Sequence, residues 1–429
     1  MKNSITLLGA VAMGTGVMIG AGIFALTGRS PSLRAAVPAL VHRGCGGHGL
    51  QRLYLCQDVE RVSIRGPHRD DPQEGLRPTT VAAGAARLMA LSMVISESLV
   101  ACTFGTYTLQ AFGGDPDRVL MPILGVGLIV FAYLLNASGT RSVGLWSIVT
   151  AVVKVGGIAS FGAPGLWASG ISFVATGGEL GVDGFVASIA LSIPAFKGFT
   201  TITNSGAEIT EPHRNVGRAI VWSIAVCVVV YLLVAFAVGS SLPLDRIVAV
   251  KDYALAEATQ PALGQTGFYL TVALALVATA SGLVASVFAV SRMLAMLSDM
   301  KMIPHSHFGM PGRIKDHTLV YTVVVAAFLT VFFDLSRIAS LGAFFYLVMD
   351  MIIHFGVFRH LREEIGAKGW VLLTAIALDA SVLLAFTWMK WQSDTPIVVT
   401  GIVGMALVFL FVGIFLARNP VREGAHEQH

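Results

Sequence analysis

Charged residues are scarce in this sequence. Asp, Glu, Lys and Arg make up 13% of its 429 residues and hydrophobic residues 55%, whereas an average soluble protein is roughly 25% charged. The short alternating segments of a membrane-spanning strand barrel are also missing. Apolar runs long enough to cross about 30 Å of hydrocarbon as helices recur instead. The sequence therefore predicts an all-α polytopic membrane protein embedded in the lipid bilayer.

Motifs of enzymes and metal proteins are absent too. The chain has no HExxH zinc motif and no GxSxG nucleophile motif, and its four cysteines show no ligand or disulfide spacing. We therefore predict no enzyme activity, no metal and no cofactor. The net charge of +4 does not indicate a nucleic-acid partner, because membrane proteins keep Lys and Arg in their cytoplasmic loops.

Eleven apolar segments have the length of membrane spans. They cover approximately residues 5–27, 79–112, 119–138, 142–168, 185–204, 218–240, 266–291, 317–333, 337–358, 369–389 and 395–417. Because the loops between most of them are short, we expect one transmembrane domain over 1–417, followed by a cytoplasmic tail over 418–429.

The distribution of Lys and Arg predicts the orientation of the spans. From the second span onwards, alternate loops carry twelve of these residues in one set and five in the other, and the richer set is expected to be cytoplasmic. This places the C-terminus and the start of the span at 79 inside. With a cytoplasmic N-terminus, however, the first span ends outside, so one membrane crossing is missing between 29 and 78.

The segment where that crossing should lie has an unusual composition. Residues 29–78 contain eight of the 21 arginines but no lysine, and they are rich in Pro, His and Gly. A shifted reading frame of GC-rich DNA gives such a composition. Our hypothesis is that 30–76 is an aberrant, non-membrane segment that replaces a lost helix. The alternative is a genuine soluble insertion.

Two of the spans are interrupted by helix-breaking residues. The first contains GTGVMIGAGIF (14–24), and the segment 184–209 contains Pro194 and Gly198 followed by a Thr-rich run. Backbone that is unwound within the membrane persists only where it lines a protein cavity, and the resulting half-helix ends bind charged groups. Glycine in a span also permits close helix packing, so glycine content alone leaves both interpretations open.

Four stretches resemble the amino acid–polyamine–organocation (APC) transporter superfamily. They are GTGVMIGAGIFALTG (14–28), NASGTRSVGLWSIVTAVVKVGG (136–157), FKGFTTITNSGAEITEPHRNVGRAI (196–220) and SRMLAMLSDMKMIP (291–304). The resemblance implies twelve helices in a LeuT-like 5+5 inverted-repeat fold with two additional C-terminal helices. The second helix is the one missing or disrupted here, as the count of crossings also indicates.

The resemblance also implies a substrate site at the two interruptions. In the family, backbone amides of the first break hold the substrate carboxylate, carbonyls of the second break meet its amine, and an aromatic residue forms a gate. The matching positions are Gly20, Ala21, Gly22 and Ile23 for the carboxylate, Phe196, Lys197 and Gly198 for the amine, and Phe199 for the gate. A lysine at 197 would repel an amine, so it either points away or indicates a substrate with an extra acidic group.

Other ionisable residues lie within the spans. Lys154 is near the middle of its span, and the resemblance implies that a lysine there occupies the cation site of sodium-coupled relatives and couples transport to protons. A lysine that merely lines a wet cavity is the alternative. Glu97 is a second coupling candidate that pairs with a lysine or carries protons. Asp350 and His354 are four residues apart, which is typical of a local hydrogen bond or of a proton relay.

The sequence therefore predicts a secondary active transporter for amino acids or related small amines in the inner membrane. Its expected partners are a small-molecule substrate, protons and the bilayer, and the oligomeric state stays open. Two alternatives remain: a permease product impaired by the lost second helix, and an amino acid or polyamine exchanger.

Overall fold

The computed structural model describes residues 5–20, 80–112, 119–169, 193–196, 198–242, 244–250, 253–299, 314–361 and 369–418. The α-helices are α1 (Leu7–Met18), α2 (Thr80–Ala111), α3 (Leu120–Ala137), α4 (Thr140–Ser169), α5 (Phe199–Asn204), α6 (Pro212–Ser241), α7 (Leu244–Ala249), α8 (Ala254–Asp299), α9 (Ile314–Phe332), α10 (Leu335–Gly356), α11 (Gly369–Ser393) and α12 (Thr395–Arg418). Shorter 3-10 turns cover Ile193–Phe196 and Gly206–Glu208, and a π-helical turn covers Val357–Leu361.

The prediction of an all-α polytopic membrane protein is confirmed. Eight of the described helices are long and apolar enough to cross a membrane, and α1 and α9 are shorter apolar helices. The predicted spans correspond to described helices, but the structure describes only residues 5–20 of the first span and, of the span that starts near 185, only 193–196 and 198 onwards. The segment 30–76, and the tail beyond Arg418, lie outside the described residues, so their assignments stay predictions.

The bundle has a buried centre formed by α2, α8 and α10. Side chains of these helices are mostly buried, whereas α3, α4, α6, α11 and α12 expose apolar side chains such as Val152, Trp222 and Leu384. An outer surface of this kind suits hydrocarbon, where apolar side chains carry no exposure penalty. The most extensive contacts join α2 to α8 and α10, and α1 packs against α6, α4 and α8. The N-terminal helix is thus held against the centre.

Local sequence sets several helix ends. Thr6 caps α1 by accepting a hydrogen bond from the Gly9 amide at 3.1 Å, and Asp334 caps α10 in the same way. Within α8, Gly264 has φ 61° and ψ −155°, a conformation that a residue with a Cβ rarely adopts. It divides α8 into a short helix, 254–263, and a long one, 265–299.

Candidate functional site

The predicted first interruption includes Met18, the residue at which α1 ends, and the residues that follow it. Ile19 and Gly20 continue as a π-type turn, and a Cβ added to Gly20 would lie 2.8 Å from the Ala278 carbonyl oxygen on α8. The helices therefore touch here through their backbones. Ala21, Gly22 and Ile23 lie outside the described residues, so Gly20 is the one predicted carboxylate contact that the structure places.

The second interruption lies directly against α1. The 3-10 turn ends at Phe196, and α5 begins at Phe199. A Cβ added to Gly198 would lie 2.5 Å from the Gly14 carbonyl oxygen and 2.9 Å from the Met18 amide nitrogen. Only glycine fits between these backbones. Lys197 lies outside the described residues.

Tyr231 of α6 connects the two interruptions. Its hydroxyl oxygen lies 2.7 Å from the Met18 carbonyl oxygen and 2.8 Å from the Ala195 carbonyl oxygen. The Phe196 ring packs edge-on against the Tyr231 ring, with the centroids 4.9 Å apart. Because a phenol carries one proton, the two carbonyls share a single donor. The backbone acceptors of both interruptions are therefore gathered around one side chain.

Lys154 lies next to the first interruption. It is fully buried on α4, and its Nζ donates to the Ser281 hydroxyl of α8 at 3.0 Å. The Thr150 hydroxyl lies 2.7 Å from the same oxygen. A Cβ added to Gly16 would be 3.2 Å from Nζ, which shows how closely the ammonium approaches α1. Lys154 thus joins three helices at the glycine-rich turn.

In the part of the chain that the structure describes, the polar contacts of Lys154 are with hydroxyl groups. Among the described residues, no carboxylate lies within ion-pair distance of Lys154. An unpaired ammonium within the bilayer costs about 2.5–3.5 kcal/mol on insertion scales. A change of hydration or of nearby dipoles therefore shifts the balance between its charged and neutral forms.

Glu97 of α2 contacts the same helix as Lys154. It is fully buried and accepts a hydrogen bond from the Ser286 hydroxyl at 3.0 Å. Ser281 and Ser286 are five residues apart, about 7.5 Å along a helix axis. In the described part of the chain, Glu97 and Lys154 form no ion pair with each other. Each makes its own hydrogen bond to a serine of α8.

The end of the bundle near Ile5 is closed by backbone and side-chain contacts. Ile5 and Ile209 form a parallel β-bridge, in which the Ile5 amide donates to the Glu208 carbonyl at 3.0 Å. The Glu208 carboxylate lies 3.5 Å from Arg292 Nε on α8, and Arg292 also donates to the Thr140 hydroxyl at 3.4 Å. These contacts, which we call the Ile5-end closure, join α1, α4, α8 and the segment after α5.

The profile of the amino acid permease family matches residues 77–422. The chain belongs to this family. Among its relatives, the inner membrane transport protein YbaT of Escherichia coli (strain K12) is 24% identical, with 97% of each chain covered. The serine/threonine exchanger SteT of Bacillus subtilis (strain 168) is 21% identical over 62% of the permease and 61% of its own chain. The chloroplastic cationic amino acid transporter 7 of Arabidopsis thaliana is 21% identical, with 92% and 72% covered.

The family match confirms the recognised resemblance. The permease is a multi-pass membrane protein of the transporter class, and the prediction that it is not an enzyme is confirmed by the family and by relatives named as transporters. The roles of individual site residues stay predictions. Of these residues, the structure brings Gly20, Gly198, Phe196 and Lys154 together around α1, and it buries Phe199 at the start of α5.

One buried acidic residue escaped the sequence analysis. Asp379 of α11 is fully buried and lies beside His354, which the sequence connected only with Asp350. The available signal was an aspartate in the middle of an apolar run. Its partner lies on another helix, 25 positions earlier, and no local spacing reveals such a pair.

Proposed function

We propose that the permease is a secondary active transporter that moves amino acids or related small amines across the cytoplasmic membrane by alternating access, driven by protons. The observation that carries this proposal is the contact between Lys154, Ser281 and the glycine-rich end of α1. Through this contact, the titratable amine of Lys154 lies close to the turn where the proposed substrate site begins.

The proposed substrate site uses backbone groups rather than side chains. Gly20, Ala21, Gly22 and Ile23 offer amides to the carboxylate, and the carbonyls of Phe196, Lys197 and Gly198 face the amine. Helix ends present such groups with favourable dipoles. The backbone contact between Gly198 and α1 supports placing both sets in one site. Phe199 closes the site as its gate.

Lys154 and Glu97 supply the proposed coupling to protons. Protonated Lys154 occupies the place of a cation between α1, α4 and α8, and its deprotonation removes the hydrogen bond and charge that hold α1 there. Both groups contact α8, so a change in either one acts on the helix against which α1 packs. Proton binding and the position of α1 are thereby linked.

The Ile5-end closure is the proposed cytoplasmic gate. Arg141, Arg214 and Arg292, which lie at or near these contacts, belong to the richer set of Lys and Arg that is expected to be cytoplasmic, so in this proposal the closure blocks the inner side. The Glu208–Arg292 pair is largely buried, with 19% and 16% of the side chains exposed, and it joins the segment after α5 to α8. Opening towards the cytoplasm requires that this pair separate.

Replacing Arg292 with alanine is expected to open the inner side more often. Even exposed ion pairs contribute up to about 1 kcal/mol, which corresponds to roughly fivefold in population, and we take this as the minimum contribution of the Glu208–Arg292 pair to the closed form. The measurement is labelling of a Ser205→Cys reporter by an impermeant maleimide, in a chain without its four native cysteines. Ser205 is buried and lies four residues before the bridge at Ile209. We expect the labelling rate to rise about fivefold.

A matched control uses the opposite end of the bundle. Arg337 pairs with Asp394 at 3.1 Å, and Arg337→Ala should leave the labelling of Cys at position 205 unchanged. Equal labelling rates in Arg292→Ala and in the unmodified background would show that the pair is not a gate.

Uptake into proteoliposomes tests the proposed function. Purified permease is reconstituted and supplied with a panel of labelled amino acids and amines, with and without an inward pH gradient. Proton coupling predicts uptake at least tenfold above that of empty vesicles only with the gradient. Uptake that instead requires preloaded amino acid would favour the exchanger alternative, which the name of SteT suggests. No uptake of any compound by any form of the chain would contradict transport.

A second proposal concerns the chain as written. We propose that residues 30–76 replace the second helix and that this form transports poorly. The family profile begins at 77, and the alignment with YbaT covers 97% of both chains. The two proteins are therefore about equally long, which supports replacement of a segment rather than insertion. A missing neighbour of α1 would leave its broken end unsupported.

Resequencing of the gene tests this second proposal. A neighbouring reading frame should encode about 20 consecutive apolar residues in place of 30–76, and the frame-restored chain should transport while the chain as written does not. If no neighbouring frame encodes an apolar stretch, or if both forms transport equally, the proposal is wrong. The transporting form is the version of the chain, either as written or frame-restored, that takes up substrate.

A further inference from the structure

Three side chains of types that ligate metals lie together between α10 and α11, which carry none of the proposed substrate-site residues. They are Asp350 and His354 on α10 and Asp379 on α11, and their ligand atoms lie within 4.8 Å of one another. His354 Nδ1 is 3.3 Å from Asp379 Oδ2. His354 and Asp379 are fully buried, and Asp350 is 8% exposed.

Asp379 stands in the middle of an apolar packing face. The buried residues of α11 recur every three or four positions and are Leu372, Ala375, Asp379, Val382 and Phe386. Both carboxylate oxygens of Asp379 are buried and accept no hydrogen bond from the described residues, although His354 lies beside one of them. A buried carboxylate without hydrogen bonds is costly. A further partner that binds the Asp379 carboxylate would therefore lower the free-energy cost of burying it.

The charges of the cluster indicate what that partner is. Two carboxylates and a neutral imidazole carry a charge of −2, which a divalent cation cancels. Mixed carboxylate and imidazole ligands suit zinc and neighbouring transition metals. A tetrahedral zinc ion with bonds of about 2.0–2.2 Å holds its ligands roughly 3.4 Å apart. The His354–Asp379 pair already has this spacing, and an Asp350 oxygen lies within 4.8 Å of both.

We infer that Asp350, His354 and Asp379 bind one divalent transition-metal ion of the Zn²⁺ type and that this ion fixes α10 to α11. The sequence predicted no metal because the third ligand comes from another helix. The inference does not depend on transport, since it uses none of the proposed substrate or coupling residues.

Zinc binding to the full chain as written tests this inference. The protein is purified in detergent with a tag that contains no histidine, stripped with a chelator and titrated with Zn²⁺. We expect one tightly bound zinc per chain by elemental analysis and a higher melting temperature. Asp379→Asn and His354→Gln should each weaken this binding by at least about tenfold. The control His317→Gln removes a buried histidine of α9 and should bind zinc as the unmodified chain does.

Substituted cobalt gives a second measurement that needs no variant. Co²⁺ in the intact chain should give the visible absorption of a four- or five-coordinate site, and X-ray absorption of the zinc form should show oxygen ligands and one imidazole. The inference would be overturned if the chain binds no zinc tightly, or if Asp379→Asn and His354→Gln both bind zinc with unchanged affinity. It would also be overturned if the spectrum shows sulfur ligands or several imidazoles.

Discussion

Replacing Lys154 with alanine is expected to abolish uptake driven by a pH gradient in the transporting form. The substitution removes the group that donates to Ser281 and contacts the glycine-rich end of α1, and with it the proposed proton carrier. Uptake should fall to the level of empty vesicles.

Lys390→Ala is the matched control for this experiment. Lys390 is a lysine on the membrane helix α11, with its Nζ 5.9 Å from the Phe386 ring centroid, and it lies far along the chain from α1. Its removal should leave uptake within about twofold of the unmodified protein, as for most substitutions away from buried features. Full gradient-driven uptake by Lys154→Ala would show that the lysine only lines a cavity.

Gly198→Ala is the second change with a large expected effect. The added methyl group would meet backbone atoms of Gly14 and Met18 at 2.5 and 2.9 Å, and backbone cannot move aside as a flexible side chain can. Overpacking typically costs about 1–3 kcal/mol. Here it also forces the two interruptions apart. We expect uptake to be lost and the melting temperature in detergent to fall.

The control for this change is Gly127→Ala on α3, where an added Cβ meets nothing within 4 Å. It should preserve uptake, and because alanine favours helix over glycine by about 1 kcal/mol, it should keep or raise the melting temperature. If Gly198→Ala transports as well as Gly127→Ala, the two interruptions do not form one site.

The helices could be predicted because hydrophobic runs of spanning length are a local property of the sequence. The runs at 119–138 and 395–417 correspond closely to α3 and α12. The division of α8 was less visible, since Gly264 lies before the apolar run that marked this span. Its positive φ could not be predicted from the residue type, because other glycines of this chain, such as Gly127, lie within regular helix.

The candidate site could be predicted in its parts but not in its contacts. Glycines at 16, 20 and 198 and the isolated Lys154 indicated where the backbone opens and where a charge is buried. The sequence did not show that Ser281 is the partner of Lys154, or that Tyr231 reaches both interruptions. These contacts join residues between 36 and 213 positions apart, and serine or tyrosine within a span carries no signal of its own.

The central claim is that backbone groups at two helix interruptions hold both charged ends of a small zwitterion. Competition for uptake in the transporting form tests it directly, with the transported amino acid compared against its methyl ester and its N-acetyl derivative. Our account predicts that each modification weakens competition by at least about a hundredfold, since hydrogen bonds to charged groups contribute about 1.5–3 kcal/mol each and several are lost together. Competition by the ester or the acetylated compound equal to that of the free amino acid would contradict it.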